Sequence, residues 1–483
     1  MISMKKASKY LLLVLLTVPA YYFISAGVAG YQALALRGEV KTLIHDIYAE
    51  ASVSSQNELL TRMDRNIGGL KSTLTNPLWR PVTGLFLKDS QKEIMLLQQL
   101  VKVSPSIFGS QSPKKYLLVF QNSAESRGTG GIVGAYAEIQ VYRGAISVIK
   151  QGSNLELKSL NAIPIAMPSE YNELYGSDPA MWVNSNESPH FPYAARIWSA
   201  LWQKQFNEKL DGVIATDPEA LSYVLKAIGP VTLASGEVID STNVVSKTLS
   251  DAYQRFGADY IGRKQYLVAV MKSVMNKLVA GHFSKIKFLQ MLQTPLLDNR
   301  ILVNLADPVD QSVIAPTVVS GVLSNTPNNE YRVVLINTSG NKLDYYLRKV
   351  VKIESVSCKR PATTKISTTI SNVLSSTKGL ADDVVGRLDL KLPHGAKGRN
   401  GFLVLIYGPT GAAATSVLRS DPNQVEPQIA SERGRPIAFF RTDLAEGASE
   451  RYTVDFSGGT GPITYVKQPL VAPEVLSIHD GCS

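Results

Sequence analysis

An uncharged stretch of 27 residues near the amino terminus constrains this chain more than any other feature. It runs from Tyr10 to Leu36 and follows three lysines within the first nine residues. A helix of about 20 apolar residues spans a bilayer, and lysines before such a helix keep the amino terminus in the cytoplasm. The sequence therefore predicts a cytoplasmic stub (residues 1–9), a transmembrane helix (residues 10–32) and a remainder that lies outside the cytoplasm.

A cleaved signal peptide is the alternative interpretation of this stretch. Residues 25–30 (SAGVAG) are small, as a cleavage site requires. The apolar run continues beyond them to Leu36, whereas the apolar core of a signal peptide is only about 7–15 residues long. This continuation favours an uncleaved anchor in the cell membrane, with the lipid bilayer as a first partner.

Composition indicates a folded protein of several units. A chain of 483 residues exceeds what one hydrophobic core supports, and 45% hydrophobic against 19% charged residues is typical of globular proteins. The net charge of +10 favours anionic partners such as lipids or phosphate-bearing glycans. Because no basic run with interleaved aromatics and no zinc-finger spacing is present in the sequence, a nucleic-acid partner is not expected.

Hydrophobic periodicity divides the rest of the chain into three regions. Residues 33–112 carry apolar side chains at helical spacing, which predicts a membrane-proximal helical region. Residues 113–325 combine apolar strands with a strand–helix–strand unit that begins at Asp211, which predicts an α/β domain. Residues 326–483 show strands and turns without helical periodicity, and this pattern is typical of an all-β sandwich.

The two cysteines, Cys358 and Cys482, both fall in the predicted sandwich. Outside the cytoplasm a disulfide between them would close this domain, and two unpaired thiols are the alternative. Two cysteines do not make a zinc site by themselves, and the sequence has no histidine cluster to complete one. No metal site is therefore predicted.

A glycine-rich loop joins the first two strands of the predicted α/β domain. Its residues, Arg127 to Gly131, lack the Gly-Lys-Ser/Thr ending of a P-loop and lead into a strand, whereas a dinucleotide-binding loop opens a helix. Two interpretations remain. The glycines either let neighbouring strands approach closely, or the loop presents Arg127 and backbone N–H groups to an anion.

The segment 255–287 is unusually basic, with seven lysines and arginines against one aspartate, Asp259, a local balance of 7 − 1 = +6. Arg263 lies four residues before Leu267 on the apolar stripe of a helix predicted from about Gly262 to Ala280, so its side chain is expected to point inward. It either pairs with a buried carboxylate such as Asp259 or binds an anionic ligand, because a guanidinium suits carboxylate and phosphate alike.

The sequence shows no recognisable arrangement of a nucleophile and a base. The five histidines are scattered, and His190 alone falls in the irregular polar stretch 153–192, of the kind that forms binding loops. A lone histidine is more often structural than catalytic. No catalytic residue is therefore assigned.

Four motifs, in order, resemble a bacterial domain-of-unknown-function family of envelope proteins. Residues 121–136 (QNSAESRGTGGIVGAY) are similar to that family's hallmark, QNxxExRxTGG. The other three are residues 184–192 (NSNESPHFP), 211–218 (DGVIATDP) and 253–256 (YQRF). The resemblance covers about residues 30–480 and implies a single-pass protein of the bacterial envelope, encoded near surface-polysaccharide genes, with no agreed activity.

More distantly, the predicted α/β domain is similar to the LytR-CpsA-Psr domain, which transfers glycan polymers from a polyprenyl-pyrophosphate carrier to the cell wall. The similarity rests on residues 211–231 and on residues 255–265, which resemble that family's arginine-rich pyrophosphate-binding stretch. Arg127 stands where the family has an arginine before a metal-binding aspartate, and Thr129 with two glycines follows it here. Because that aspartate is absent, neither Mg²⁺ binding nor transferase activity follows from the resemblance.

Together these patterns predict a site for an anion or pyrophosphate, with seven members: Asn122, Glu125, Arg127, Arg255, Asp259, Arg263 and Gln265. Two functions remain open. The chain binds a polyprenyl-phosphate-linked or other anionic cell-surface glycan during polysaccharide or cell-wall assembly, or it is a non-catalytic envelope scaffold without a lipid-phosphate site. The arginine on the apolar stripe favours the first function, and the absent aspartate favours the second.

Overall fold

The computed structural model describes residues 106–176, 178–390 and 396–482, with a few positions before residue 106 (58, 61–65, 68, 99, 102 and 103). The predicted cytoplasmic stub and transmembrane helix, and most of the predicted membrane-proximal region, lie outside the described residues. Among the described residues, no helix has the length and apolar character needed to cross a membrane.

The α/β domain is built on a five-stranded mixed sheet and a small two-stranded one. Its strands are β1 (Lys114–Arg127), β2 (Gly130–Tyr142), β3 (Ala145–Ser153), β4 (Gly212–Thr216), β5 (Val231–Thr232), β6 (Val238–Ile239) and β7 (Ile301–Leu305). The large sheet has the order β3-β2-β1-β4-β7, and β5 pairs with β6. Strand β1 is parallel to β4, whereas the other neighbours in the large sheet are antiparallel.

Helices cover both faces of the large sheet, which is why β1 and β2 are buried along most of their length. The α-helices of this domain are Ser169–Tyr175, Phe191–Phe206, Pro218–Ile228, Val244–Ser246, Ala252–Phe256, Tyr260–Ala280, Lys285–Leu297 and Pro308–Ile314. We call Phe191–Phe206 the central helix and Tyr260–Ala280 the long helix. The long helix packs on one face of the sheet and the central helix on the other.

Local signals fix the strand–helix–strand unit that the sequence predicts. The side chain of Asp217 accepts a hydrogen bond from the N–H of Ala220 (2.8 Å) and so caps the helix that starts at Pro218. That helix ends at Gly229, whose φ of +82° suits glycine, and β5 follows. Asp217 is also bound by the half-buried Arg300 (2.6 Å), which in turn donates to the carbonyl oxygen of Leu470 (2.7 Å).

The C-terminal region is a sandwich of two five-stranded sheets, as the alternating strands predict. Its strands are β8 (Glu330–Asn337), β9 (Leu347–Ser357), β10 (Thr363–Asn372), β11 (Asn400–Tyr407), β12 (Ala413–Arg419), β13 (Gln428–Glu432), β14 (Arg435–Leu444), β15 (Ser449–Ser457), β16 (Thr464–Tyr465) and β17 (Val475–His479). The sheets have the orders β12-β15-β10-β9-β17 and β13-β14-β11-β8-β16. One apolar core lies between them, and a short helix, Asp382–Val385, lies in the connection from β10 to β11.

The central helix lies between the α/β sheet and the β13-β14-β11-β8-β16 sheet. Its buried residues, which include Trp198 and Trp202, form one apolar cluster with Val119 of β1 and with Val334 and Leu405 of the sandwich. The two domains are therefore successive layers that share a core.

A buried polar network also joins the domains. Glu432, which has no exposed surface, accepts hydrogen bonds from the hydroxyls of Ser188 (2.6 Å), Tyr407 (2.7 Å) and Tyr175 (3.2 Å). Burial raises the pKa of Glu432, although the three hydroxyl donors act in the opposite direction. Ser188 and Tyr175 belong to the α/β domain, so this carboxyl group lies at the domain boundary.

A disulfide joins Cys358 and Cys482, the pairing that the sequence proposes over two free thiols. It connects residues 124 positions apart and ties the chain after β17 to the end of β9. Because β17 is an edge strand that pairs with β9, the disulfide holds this strand against its only neighbour in the sheet.

Candidate anion-binding site

The glycines of the loop between β1 and β2 lie against other parts of the backbone. A Cβ atom on Gly128 would stand 2.1 Å from the carbonyl oxygen of Glu187, and one on Gly131 would stand 2.1 Å from that of Asn122. Both distances are far inside van der Waals contact. Glycine is therefore required at these positions by close packing, which is the first of the two interpretations of this loop.

Backbone N–H groups of the same loop are bound within the protein. The N–H of Gly131 donates to Oε1 of Gln121 (2.9 Å), and the N–H of Thr129 donates to the carbonyl oxygen of Asn186 (3.4 Å). The amide of Asn186 also donates to Gln121, Thr129 and Gly131 at 2.8–3.1 Å. These protein groups occupy the position in which a bound anion would meet the loop.

Arg127 is buried, and each of its five N–H groups has an acceptor. The acceptors are the carbonyl oxygens of Val183 (from Nε, 3.1 Å), Ser126 (from Nη1, 2.9 Å) and Asn337 (from Nη1, 3.1 Å), and the side-chain oxygens of Glu125 (from Nη2, 2.9 Å) and Asn184 (from Nη2, 2.8 Å). They come from β1, from the loop before the central helix and from β8. Arg127 thus connects the two domains, and these bonds leave none of its N–H groups for a ligand.

Glu125 lies beside Arg127 and is also bound by Lys342 of the sandwich, whose Nζ donates to Oε2. Burial alone would raise the pKa of Glu125, but the charges of Lys342 and Arg127 outweigh it and hold the pKa below its ordinary value. Burial likewise opposes the charge of Lys342, and the Glu125 carboxylate nevertheless raises the pKa of Lys342. Both groups are therefore charged at neutral pH.

Arg263 points inward, as its place on the apolar stripe predicts, and its side chain is only 2% exposed. Its carboxylate partner is Asp383, on the short helix of the sandwich connection, and not Asp259. Asp259 instead caps the long helix, where Oδ1 accepts from the N–H of Gly262 (2.8 Å). The Arg263 guanidinium also lies 4.3 Å from the centre of the Tyr253 ring, a cation–π contact.

Lys264, the next residue, is 7% exposed and has no described hydrogen bond or carboxylate within salt-bridge distance. Its ammonium lies 5.3 Å from the centre of the Tyr260 ring. Burial, together with the like charges of Lys342 and Arg263, lowers the pKa of Lys264 to about 7. Lys264 is not among the residues predicted from the sequence, because a lysine in a basic run normally has a solvated side chain.

Asn122 connects these groups to the end of β1. Its amide donates to the hydroxyl of Tyr253 (2.5 Å), while its oxygen accepts from the N–H of Ala124 (3.0 Å). Tyr253 is buried and lies on Arg263. Tyr253 therefore contacts both Asn122 and Arg263, while Glu125 binds Arg127 and Lys342, so four of the predicted site residues lie at this place.

We name the charged groups at this place the cationic cluster, consisting of Arg127, Arg263, Lys264 and Lys342 with Glu125 and Asp383. Four cations face two carboxylates, which gives 4 − 2 = +2 when Lys264 is protonated. The cluster lies at the carboxyl end of β1, which extends seven residues beyond Phe120, the residue that pairs with the last residue of its parallel neighbour β4.

The other predicted members lie apart from the cluster. Arg255 is 54% exposed, and its Nη1 donates to Glu237 (2.8 Å) while its guanidinium lies over the rings of Phe256 and Tyr266. Gln265 is exposed on the long helix. Neither side chain contacts the residues of the cationic cluster in the described contacts.

His190 has the structural role that is usual for a lone histidine. It is buried, and its Nδ1 accepts a hydrogen bond from the N–H of Leu323 (2.9 Å). Burial, reinforced by the charges of Arg433 and Arg332, lowers the pKa of His190 well below its ordinary value, so the ring is neutral. Among the described residues, no three His, Cys, Asp or Glu side chains are grouped to hold a metal ion.

Residues 111–253 match a family described as "Protein of unknown function (DUF4012)". The matched segment holds the first three of the four motifs and ends at Tyr253, the first residue of the fourth. The match agrees with the resemblance to a domain-of-unknown-function family. It includes Asn122, Glu125 and Arg127, whereas Arg263, Lys264 and the whole sandwich lie beyond it.

No curated protein matches the chain. Similar solved structures include the Lin1025 protein from Listeria innocua, at 14% identity and a TM-score of 0.23 over 46% of this chain and 85% of that one. Protein gbs0355 from Streptococcus agalactiae is 15% identical, with a TM-score of 0.24 over 43% of this chain and 74% of that one. The transcriptional regulator yvhJ from Bacillus subtilis is 10% identical, with a TM-score of 0.22 over 45% of this chain and 84% of that one. These scores are too low to support an argument about this chain.

Proposed function

We propose that this chain is a membrane-anchored envelope protein that binds an anionic group of a cell-surface glycan, such as the phosphate of a polyprenyl-phosphate-linked precursor. The binding site is formed by Lys264 and Arg263 of the cationic cluster, whereas Arg127, whose N–H groups are all bound within the protein, contributes only its charge. One observation carries the proposal: Lys264 is only 7% exposed as a residue, and its ammonium has no carboxylate within salt-bridge distance among the described residues. A buried charge is unfavourable without a partner, and an anionic ligand would supply one.

The surroundings of Lys264 support a ligand anion more than a solvated lysine. Lys342 and Arg263 add positive charge on the same side, and arginine presents a fork of N–H donors that suits phosphate. The apolar stretch from Tyr10 to Leu36 supports the anchor, and the disulfide supports an oxidising compartment outside the cytoplasm. The proposal is one of binding and assigns no reaction.

A non-catalytic scaffold is the second candidate. It is favoured by the hallmark residues, since Gln121, Gly131 and Arg127 hold the loop and the domains together. Under this alternative the motif serves stability, and the sandwich contacts a partner polymer or protein. Binding of an anion at Lys264 separates the two functions.

Titration calorimetry of the detergent-extracted full-length protein with inorganic pyrophosphate tests the proposal. Replacing Lys264 with Met keeps the length of the side chain and removes its charge. Lys272, which is exposed on the same long helix, provides the matched control, Lys272→Met. We expect the wild type and Lys272→Met to bind, and Lys264→Met to bind at least about tenfold more weakly, the loss of one buried charged contact.

Native mass spectrometry of the same preparations tests whether a natural ligand co-purifies with the protein. A co-purifying polyprenyl-phosphate lipid that is present in the wild type and lost in Lys264→Met would identify the carrier as the ligand. Absence of pyrophosphate binding in the wild type, or equal binding by Lys264→Met, would overturn the proposal and favour the scaffold.

A further inference from the structure

The two buried arginines of the cationic cluster differ in how completely the protein binds them. Arg127 has protein acceptors for all five of its N–H groups. Arg263 has two described acceptors, the carbonyl oxygen of Gly257 (3.3 Å) and the carboxylate of Asp383. Its other described contacts are with the faces of the Tyr253 and Tyr260 rings. Arg263 therefore has N–H groups without a described acceptor, whereas every N–H group of Arg127 has one.

Asp383 differs from its partner in exposure. Its side chain is 35% exposed, whereas that of Arg263 is 2% exposed. Asp383 belongs to the sandwich, in the connection between β10 and β11, and the backbone of this connection is held independently by the bond from the N–H of Lys342 to the carbonyl oxygen of Val384 (3.0 Å). The carboxylate can therefore leave Arg263 by rotation of its side chain while this backbone bond stays in place.

We infer that Asp383 occupies the position of a ligand's anionic group on Arg263, and that a ligand bound at Lys264 displaces it. This inference rests on the proposed function, because it takes Lys264 and Arg263 of the cationic cluster as the binding site. Arg263 and Lys264 are consecutive, and both border Tyr260, so one ligand can reach the two cations together.

The charge of the cluster then restricts the ligand. With Asp383 displaced, four cations face one carboxylate, which gives 4 − 1 = +3. A ligand with a single negative charge would leave 3 − 1 = +2, the same net charge as Asp383 leaves, whereas a ligand with two negative charges would lower it to +1. We therefore expect the ligand to be an anion with at least two negative charges, such as a molecule with two phosphodiester groups, a diphosphate or a dicarboxylate.

Replacing Asp383 with Asn tests the inference, since the amide is nearly isosteric and carries no charge. The matched control is Asp382→Asn, because Asp382 is its neighbour on the same short helix but pairs with Lys397 (2.7 Å). Inorganic pyrophosphate is the multivalent probe, and formate is the monovalent one. We expect Asp383→Asn to bind pyrophosphate about tenfold more tightly than the wild type, Asp382→Asn to bind like the wild type, and formate to bind to none of them.

Equal or weaker pyrophosphate binding by Asp383→Asn, in a protein whose wild type binds, would overturn this inference and leave the proposed function intact. Absence of binding by all three proteins would overturn both. A crystal structure of the wild type with pyrophosphate decides the matter if Asp383→Asn does not fold. The Asp383 carboxylate should have left the Arg263 guanidinium in the complex, and an intact Arg263–Asp383 pair beside bound pyrophosphate would contradict displacement.

Discussion

Arg127 provides the sharpest test of how the hallmark motif works. Replacing it with Ala removes five hydrogen bonds and leaves Lys342 as the one cation bound to Glu125 among the described residues. Removing one partner of a buried ion pair costs about 3–5 kcal/mol, and each buried acceptor left without a donor costs about 1–3 kcal/mol. Because Val183 and Asn184 are only half-buried, we expect the sum to stay near 5 kcal/mol of unfolding free energy.

Two further variants separate geometry from charge. Arg127→Lys keeps the charge but has at most three donors for the five acceptors, so we expect a loss of about 2–3 kcal/mol. Arg255, which is 54% exposed and paired with Glu237, is the control. Its replacement by Ala should cost less than about 1 kcal/mol, as is usual for surface ion pairs.

The assay is urea unfolding of the full-length protein followed by tryptophan fluorescence. Trp182, Trp198 and Trp202 are all buried in the layer between the two domains, so their emission reports directly on the contact that Arg127 stabilises. An unfolding free energy for Arg127→Ala within about 1 kcal/mol of the wild type would refute this account of the motif. So would a loss in Arg255→Ala as large as that in Arg127→Ala.

Three other substitutions or conditions have defined outcomes. Gly131→Ala should lower the thermal midpoint by circular dichroism by many degrees, because its Cβ would meet the Asn122 carbonyl oxygen at 2.1 Å, whereas Gly481→Ala, with open space around it, should have no effect. Burial raises the pKa of Glu432, so its neutral form stabilises the fold at low pH, and this contribution is lost as the pH rises through the folded-state pKa. The urea midpoint should therefore decrease as the pH rises above the ordinary pKa of a glutamate, and it should decrease less in Glu432→Gln. The proposed binding of pyrophosphate requires protonated Lys264, whose pKa is lowered to about 7. Calorimetry should therefore show the affinity for pyrophosphate falling as the pH rises above neutrality. An affinity that does not change with pH would contradict the proposed role of Lys264 in binding.

Local signals in the sequence were sufficient for much of the fold. The unit from β4 to β5 was predictable because Asp217, Pro218 and Gly229 each act within a few residues of their own position. The alternation of apolar and polar residues along the C-terminal strands was equally sufficient to predict the sandwich, since one face of each strand packs in the sandwich core. The α/β domain and the β-sandwich are both confirmed.

The candidate site could be predicted only in part, because its contacts join distant segments. The inward position of Arg263 follows from helical periodicity, but its partner Asp383 is 120 positions away. Lys342 and Glu125 are separated by 217 positions and meet only because the sandwich docks on β1. Lys264 lies seven residues before the buried Met271, so the same periodicity places it beside the apolar stripe, but a lysine at such a position usually extends its ammonium to solvent.

The position of the central helix has a consequence for the order in which the chain folds. The helix is complete once residue 206 has been synthesised, but the sandwich strands that cover its outer face extend to Ile437. Until those strands arrive, the aromatic side chains of the helix face solvent or a chaperone. The α/β domain therefore reaches its final stability late in synthesis, and a polypeptide that stops before β14 would expose a surface prone to aggregation.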